Sequence, residues 1–417
     1  MILLSHPMGN ANVRAIANSL HQTDLLQSFH TSIAAYSGNV WDQLGRLPAL
    51  NDFRRRAFPE GLKDCTVQYP FGELMRVTAN KMGLKKLTAR EVGKFSVDAI
   101  YRAHDRKVKS YVSRHSQELR AVYAYEDGAL DTFIEARKHG LVCIYDLPIA
   151  YWETGRQLMM EEAERRPEWA GTLGGGIMDS AEKTERKVKE LELADVVVGP
   201  GYFVMDSLPE WAAEKKKIVS PFGSPKGTRV KISPGEFNPN RRLRVLFVGS
   251  MGQRKGLGDL FEAMRQLDPD RVELVVLGSQ LAEPEFYRKE FSGFRYEPTR
   301  SHPDVLQLMA ECDVFCLPSI VEGRALVMQE AMSQGLPIII TPNTGGQDLV
   351  VPGETGFLVP IRSPEAIAEK IDWFLSHREE LPRMGAAAAA HAARYTWSSY
   401  GGHVASELSA ILGSVTV

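Results

Sequence analysis

Short apolar runs alternate with longer amphipathic stretches along most of this chain. ILLSH, FHTSIAAY, AVYAYED, LVCIYD and ELADVVVGP read as strands, while GNANVRAIANSLHQ and GALDTFIEARKHG carry helical spacing. A second series follows the polar, proline-bearing GSPKGTRVKISPGEFNPNRRL. It runs RVLFVGS, a helix from about 256 to 267, VELVVLG, DVFCLPS, a helix through EAMSQG, then PIIIT and GFLVP. Strand–helix alternation of this kind predicts parallel βαβ units, and glycine-bearing turns after the strands place ligands outside the strand C-termini. The expected fold class is α/β, with two Rossmann-like doubly wound domains, residues 1–222 and 223–398, and a cleft between them. The last stretch, MGAAAAAHAARYTWSSYGGHVASELSAIL, reads as an alanine-rich helix, a break at Gly401–Gly402 and a final helix.

At 417 residues the chain exceeds the size at which one core stops growing, which agrees with two domains. Apolar residues make up 44% and charged residues 24%, an ordinary water-compatible composition. Every apolar run is too short to cross a bilayer, and no basic region precedes the apolar MILL at the start, so a cytoplasmic protein is expected. Cys65, Cys143, Cys312 and Cys316 lie in apolar segments, as reduced core thiols do. Cys312 and Cys316 lack a second pair or a histidine cluster to complete a metal site, so no metal is expected.

The formal charge of -2 hides an uneven distribution: residues 51–120 carry a local balance of +8 and the remainder about -10. FRRRAF, MGLKKLTAREVGKF and HDRKVKSYVSRH interleave cations with aromatic residues. They read either as a solvated helical face or as a docking face for an anionic acceptor or an anionic membrane. No nucleic-acid motif accompanies them, so no nucleic-acid partner is expected.

Candidate chemistry concentrates in the second series. In FVGSMGQRKGLGDLFEAM a strand ends at Gly249, a loop carries Ser250, Arg254 and Lys255, and a helix begins near Gly256. Backbone N–H groups, a positive helix end and two cations there suit a diphosphate. In VEGRALVMQEAMSQG, Glu330 lies inside a helix, where a carboxylate can accept both hydroxyls of a ribose, and Glu322 precedes that helix, able to reach the sugar beyond the phosphates. Gly323 and Arg324 open the same loop. In TPNTGGQDLV, Gly345 and Gly346 allow close backbone approach to a ligand.

VGSMGQRKG, LPSIVEGRALVMQEAMSQGLPIIITPNTGGQDLVVPGETGFLVP and the late RYTWSSY together resemble the retaining GT-B glycosyltransferases of family 4, glycosyl transferases group 1, over most of residues 243–400. The resemblance implies a GT-B fold in which residues 399–417 return to the first domain. It implies a nucleotide-sugar donor, held by Glu330 at the ribose, Glu322 near the sugar and Lys255 at the diphosphate. It also implies transfer with retention, no cofactor, and a glycan or lipid-linked acceptor in the first domain. The chain departs from the pattern at Ser250, where many members carry arginine, at Arg324, where an aromatic residue is common, and at Tyr145 or Asp146, in place of a strand-end histidine.

The first half supplies His6, Gly9 and Asn10 at its first strand end, with Glu126, Asp127, Asp146 and Arg156 farther on. Gly9, Asn10 and Tyr145 are read as acceptor-side residues and Asp146, with Glu322 and Lys255, as catalytic. The function expected is glycosyl transfer from a nucleoside diphosphate sugar, in cell-surface polysaccharide or glycolipid synthesis. The alternatives are a non-catalytic nucleotide-binding scaffold of a glycan-assembly complex and a GT-B nucleotide-sugar epimerase.

Overall fold

Strands covered on both faces need apolar side chains at nearly every position, and the central strands meet that requirement. The structure, a computed structural model, describes residues 1–47, 50, 53, 56–225 and 241–414. The first sheet contains β1 (Ile2–Ser5), β2 (Leu26–Thr31), β3 (Thr66–Gln68), β4 (Ala121–Tyr125), β5 (Val142–Asp146), β6 (Val196–Gly199) and β7 (Lys216–Val219), in the order β3-β2-β1-β4-β5-β6-β7. The second contains β8 (Leu243–Val248), β9 (Val272–Leu277), β10 (Phe294–Glu297), β11 (Val314–Leu317), β12 (Ile338–Ile340) and β13 (Gly356–Leu358), in the order β10-β9-β8-β11-β12-β13. Neighbouring strands run parallel, with Leu3 opposite Val122 in the first sheet and Val245 opposite Val314 in the second. This is the GT-B architecture of two doubly wound halves. Most of the segment joining them, 226–240, lies outside the described residues, as do Arg54 and Arg55 of FRRRAF.

In each sheet the strand order reverses between the first strand and the fourth: β1 lies beside β4, and β8 beside β11. Chains leaving those neighbours diverge to opposite faces, which opens a crevice at the strand C-termini. β3 and β10 escaped the sequence reading because TVQ and FRYE are short edge strands with polar residues, too weak a signal beside the core runs.

The two halves are joined by more than their connecting segment. Helix Trp397–Ser414 lies on helix Ala11–Gln22 of the first half, placing Tyr400, Val404 and Leu408 in that core. The expected break at Gly401–Gly402 does not occur; the helix runs through both glycines, and the chain turns earlier, between Ala392 and Trp397. A Cβ on Gly401 would meet Ser19 Oγ at 2.4 Å and the Ala15 carbonyl oxygen at 2.5 Å, so this glycine permits close helix packing rather than a bend.

Conversely, the turn Pro167–Thr172 leaves the first half and seats Trp169 in the second core, against Phe261, Phe286 and Tyr287. Around it Arg165 and Arg166 both pair with the fully buried Asp259, and Gln253 Nε2 donates to Glu162 Oε2 at 3.1 Å and Asp259 Oδ2 at 2.9 Å. Burying these charges is tolerable because each carboxylate has several donors.

Candidate active site

β8 is followed by Gly249, whose φ of +152° an L side chain rarely adopts and whose missing Cβ leaves room for the Lys255 chain, 2.7 Å from that position at Cδ. The 3₁₀ turn Gln253–Lys255 then brings Lys255 back over the strand end, and Gly256, at φ +72°, lets the loop press against the Pro318 carbonyl of the loop after β11. Lys255 Nζ thereby donates to Glu322 Oε1 at 2.5 Å, and Arg254 Nη1 faces the same oxygen at 3.0 Å. Both side chains of the Lys255–Glu322 pair are nearly buried, so low local dielectric strengthens the attraction.

Helix Leu326–Ser333 begins just after this loop and carries Glu330, paired through Oε1 with His302 Nε2 at 3.1 Å. Gly249, Lys255, Glu322, Glu330, His302 and Arg300 line one cavity of about 520 Å³ at the β8/β11 crevice. Lys255, Glu322 and Glu330 are therefore brought together, as the glycine-bearing turns suggested. His302 and Arg300 were missed. They precede β11 on a separate helix start, RSHPD, and only the fold carries them across to Glu330.

Arg324 also lines this cavity, but its guanidinium is fully buried, donating to Gln329 Oε1 at 2.8 Å, the Gly345 carbonyl at 2.9 Å and Asp348 at 2.7 and 3.1 Å, over the Tyr395 ring. Its charge is thus held by fixed partners within the second half. Arg254 lines a neighbouring interdomain cavity of about 210 Å³, with Glu126, Arg156 and Lys187. Ser250, half-buried in the turn after β8, lies outside the lining of the large cavity.

Gly323, Gly345 and Gly346 serve close packing of backbone on backbone or on core. A Cβ on Gly323 would sit 1.9 Å from the Pro148 carbonyl oxygen of the first half, one on Gly345 1.8 Å from the Gly323 carbonyl oxygen, and one on Gly346 2.6 Å from Met328 Cε. The two halves touch here, and the touch sets where Glu322 stands.

In the first half, Asn10 lines a cavity of about 430 Å³ at the β1/β4 crevice, with His6, Tyr101, Tyr125, Glu126 and Asp127. Gly9 instead makes room for Phe58, 2.3 Å from where its Cβ would be. His6 Nδ1 accepts from the Met8 backbone N–H at 2.9 Å, which leaves the proton on Nε2, 3.5 Å from the Tyr101 hydroxyl. Burial, helped by His104, holds its pKa near 3, so it is a neutral hydrogen-bond donor.

Tyr145 and Asp146 both point away from that cavity. Tyr145 is buried on one face of β5 against Phe133, its hydroxyl 3.4 Å from Glu190. Asp146, 1% exposed, accepts from the Tyr123 hydroxyl at 2.5 Å on the face covered by Tyr400. Successive residues of a strand take opposite faces, so a strand-end position alone does not aim a side chain at the crevice. Burial raises the Asp146 pKa to about 7, with the Tyr123 and Tyr125 hydroxyls pulling it back down. Among the described residues no three His, Cys, Asp or Glu side chains converge as a metal site, and no helix is long and apolar enough to cross a membrane.

With this geometry in place, residues 229–391 match the family model described as Glycosyl transferases group 1. The matched region spans the whole second sheet, β8 to β13. The group 1 region contains the lining residues of the large cavity named above, from Gly249 to Glu330. The chain is 29% identical over 252 residues to a D-inositol 3-phosphate glycosyltransferase of Corynebacterium glutamicum, covering 53% of this chain and 59% of that one. It is 33% identical over 175 residues to the sulfoquinovosyl transferase SQD2 of Arabidopsis thaliana, covering 40% of this chain and 33% of that one. In both cases the match spans less than two thirds of the relative's length. Among solved structures the fold is similar to Anabaena HepE in complex with UDP and glucose, at TM-score 0.59 and 16% identity over 98% of this chain and 99% of that one. It is also similar to sucrose-phosphate synthase from Thermosynechococcus elongatus, at TM-score 0.65 and 16% identity over 100% and 99%. At such identities these likenesses speak for the GT-B fold.

Proposed function

We propose that this protein transfers a glycosyl group from a nucleoside diphosphate sugar to a hydroxyl acceptor, with retention at the anomeric carbon. One observation carries the reading: the β8/β11 cavity gathers Lys255, Glu322 and the Glu330–His302 pair outside the strand C-termini, inside the group 1 region. Glu330 accepts the ribose hydroxyls, oriented by His302. The diphosphate lies by Gly249 and the free N–H groups opening helix Leu326–Ser333, with Lys255 beside it. As the glycosidic C–O bond breaks, negative charge grows on the diphosphate, and a lysine already in position stabilises it where it develops without a metal ion. Glu322, which holds Lys255 and Arg254 in place, stands on the sugar side of the phosphates. The acceptor oxygen attacks from the face the diphosphate leaves, and the departing phosphate takes its proton. Domain division follows, with the donor on residues 223–398 and the acceptor on residues 1–222.

The same proposal places the protein at the cytoplasmic face of a membrane, acting on a lipid-linked acceptor of surface glycan or glycolipid synthesis. Every residue from Asn80 to Leu87 is exposed, and Phe71, Met82 and Val92 are 72%, 67% and 87% exposed beside Lys81, Lys85, Lys86 and Lys94. Apolar side chains interleaved with lysines suit an anionic bilayer surface. Thr88, Arg90 and Val97 run from this projection into the wall of the first-half cavity, so a bilayer docked on the projection would stand at its mouth.

A thermal-shift panel with UDP, GDP, ADP and CMP, beside Glu330→Ala, tests the donor site. One nucleotide raising the melting point of wild type but not of the variant is the expected result. No shift with any of them sinks the nucleotide reading.

A further inference from the structure

The first-half cavity lies at the β1/β4 crevice, across the Pro148–Gly323 contact from Glu322. Its walls mix aromatic rings, Tyr101 and Tyr125, with the carboxylates Glu91, Asp98, Glu126 and Asp127. Each cation in or behind those walls is already engaged. Arg90 pairs with Asp179 and Glu91, Lys183 with Asp127 and Asp179 at 3.3 Å each, Arg186 with Asp98 and Asp127, and Lys187 with Glu126 at 3.3 Å. Two carboxylate oxygens of those walls are buried without a hydrogen-bond partner: Glu91 Oε1, with Arg90 Nε 3.6 Å away, and Glu126 Oε1, on a side chain only 9% exposed. A buried carboxylate oxygen left in that state costs free energy until a donor reaches it.

Glu126 also lines the 210 Å³ interdomain cavity together with Arg254, and Arg254 faces Glu322. Its unpaired oxygen therefore stands on the path from this cavity to the donor side. Tyrosine rings supply an apolar face for sugar C–H groups, and His6 Nε2–H and Asn10 add polar contacts around the rim.

Resting on the glycosyl-transfer reading above, we infer that this cavity takes an uncharged, hydroxyl-rich acceptor headgroup, a neutral sugar or polyol, and that Glu126 Oε1 accepts a hydrogen bond from one of its hydroxyls. A phosphorylated headgroup is excluded, because it meets four carboxylates and finds no uncommitted cation. Lys81, Lys85, Lys86 and Lys94 lie on the exposed projection outside the cavity, and Arg90, which reaches its wall, is paired with Asp179 and Glu91. This sets the chain apart from the matched relatives whose name specifies D-inositol 3-phosphate.

Saturation-transfer NMR on the full chain, with and without saturating UDP, tests this. The probes are the methyl glycosides of glucose, galactose, mannose and N-acetylglucosamine, myo-inositol, and their monophosphates, D-inositol 3-phosphate among them. At least one neutral probe is expected to give signal, while its phosphate gives none. Glu126→Gln, which keeps the volume but halves the carboxylate, is expected to weaken that neutral probe by about tenfold, and Asn10→Ala, at the exposed rim, to weaken it less. Phosphates binding as well as or better than their neutral parents overturn the inference. So does an unchanged signal in Glu126→Gln, or silence from every probe. The thermal shift with nucleotides reads the donor site separately, so loss of that shift with neutral-probe binding intact would indict the donor reading alone.

Discussion

Lys255 and Glu322 meet at 2.5 Å although 66 residues lie between them, because the loops after β8 and β11 emerge side by side where the strand order reverses. Arg254 stays 3.0 Å from the same carboxylate oxygen, so Glu322 keeps a cation when Lys255 is removed. Lys255→Ala is therefore expected to fold, with an unfolding midpoint close to wild type. Its kcat for transfer should fall by about 10²–10³, the usual cost of deleting one preorganised charge stabiliser. Initial rates with the nucleotide sugar that the thermal-shift panel identifies measure this, and an unchanged kcat removes Lys255 from the chemistry.

Gly323 fits under Pro148 only because it has no side chain, a Cβ falling 1.9 Å from that carbonyl oxygen. Gly323→Ala must push the two halves apart or shift the Glu322 loop. The expected outcome is a larger radius of gyration by small-angle scattering, and donor affinity lowered by at least about tenfold, since a 1 Å misplacement is costly in a preorganised site. Unchanged scattering and unchanged affinity together would show that the contact is not retained in solution.

Trp169 makes a separate tie between the halves, inserted beside Phe261, Phe286 and Tyr287 with no exposed surface. Removing a buried indole leaves a cavity worth about 3–5 kcal/mol. Trp169→Ala should lower the main unfolding transition and, by loosening the joint, split it into two in calorimetry. A single transition at the wild-type temperature would show that the turn contributes nothing to the joint.

How far the sequence revealed this site depends on chain locality. Lys255 was legible because a strand, a glycine turn and a helix start are consecutive, and Glu330 because its helix follows directly on its strand. The apolar runs of both sheets were legible for the same reason. His302 was not, since its role exists only through an approach across 28 residues of chain. Asp146 and Tyr145 misled because being at a strand end says nothing of which face a side chain takes, and burial among tyrosines is a tertiary fact. Gly401 misled in another way: glycine signals a break and a close packing alike, and only Ser19 and Ala15 opposite it decide between them. The domain-crossing turn at Trp169 left no sequence signal of its own.

Arg324 separates stability from donor binding. Its guanidinium holds Asp348, Gln329 and the Gly345 carbonyl from a fully buried position. Lysine lacks the planar fork that satisfies them together. Arg324→Lys is expected to lose roughly 3–5 kcal/mol of stability by denaturant unfolding, the usual cost of breaking a buried pair. Nucleotide affinity of the folded fraction should stay within about threefold, because the guanidinium is committed to those buried partners. A large affinity loss with stability intact would place the guanidinium on the diphosphate after all.

Asp146 makes stability depend on pH in a direction opposite to ordinary surface carboxylates. Its carboxyl titrates near 3.8 when unfolded and at about 7 in the fold, where burial disfavours the charged form more than the Tyr123 and Tyr125 hydroxyls favour it. The folded state thus binds the proton more tightly. The contribution is fully present below about 4 and is lost as pH rises through about 7. His6, His30 and His104, each held down to about 3 mainly by burial, act the other way, contributing above 6.5 and losing that contribution as pH falls. Asp146→Asn removes only the first term while leaving an oxygen to accept from Tyr123. Between pH 5 and 8 the stability difference should move in the variant's favour by on the order of 3 kcal/mol, about two pKa units of linkage. Urea unfolding of both proteins at several pH values measures it, and a difference that stays flat across that window would mean that Asp146 titrates as an ordinary carboxylate in the folded protein.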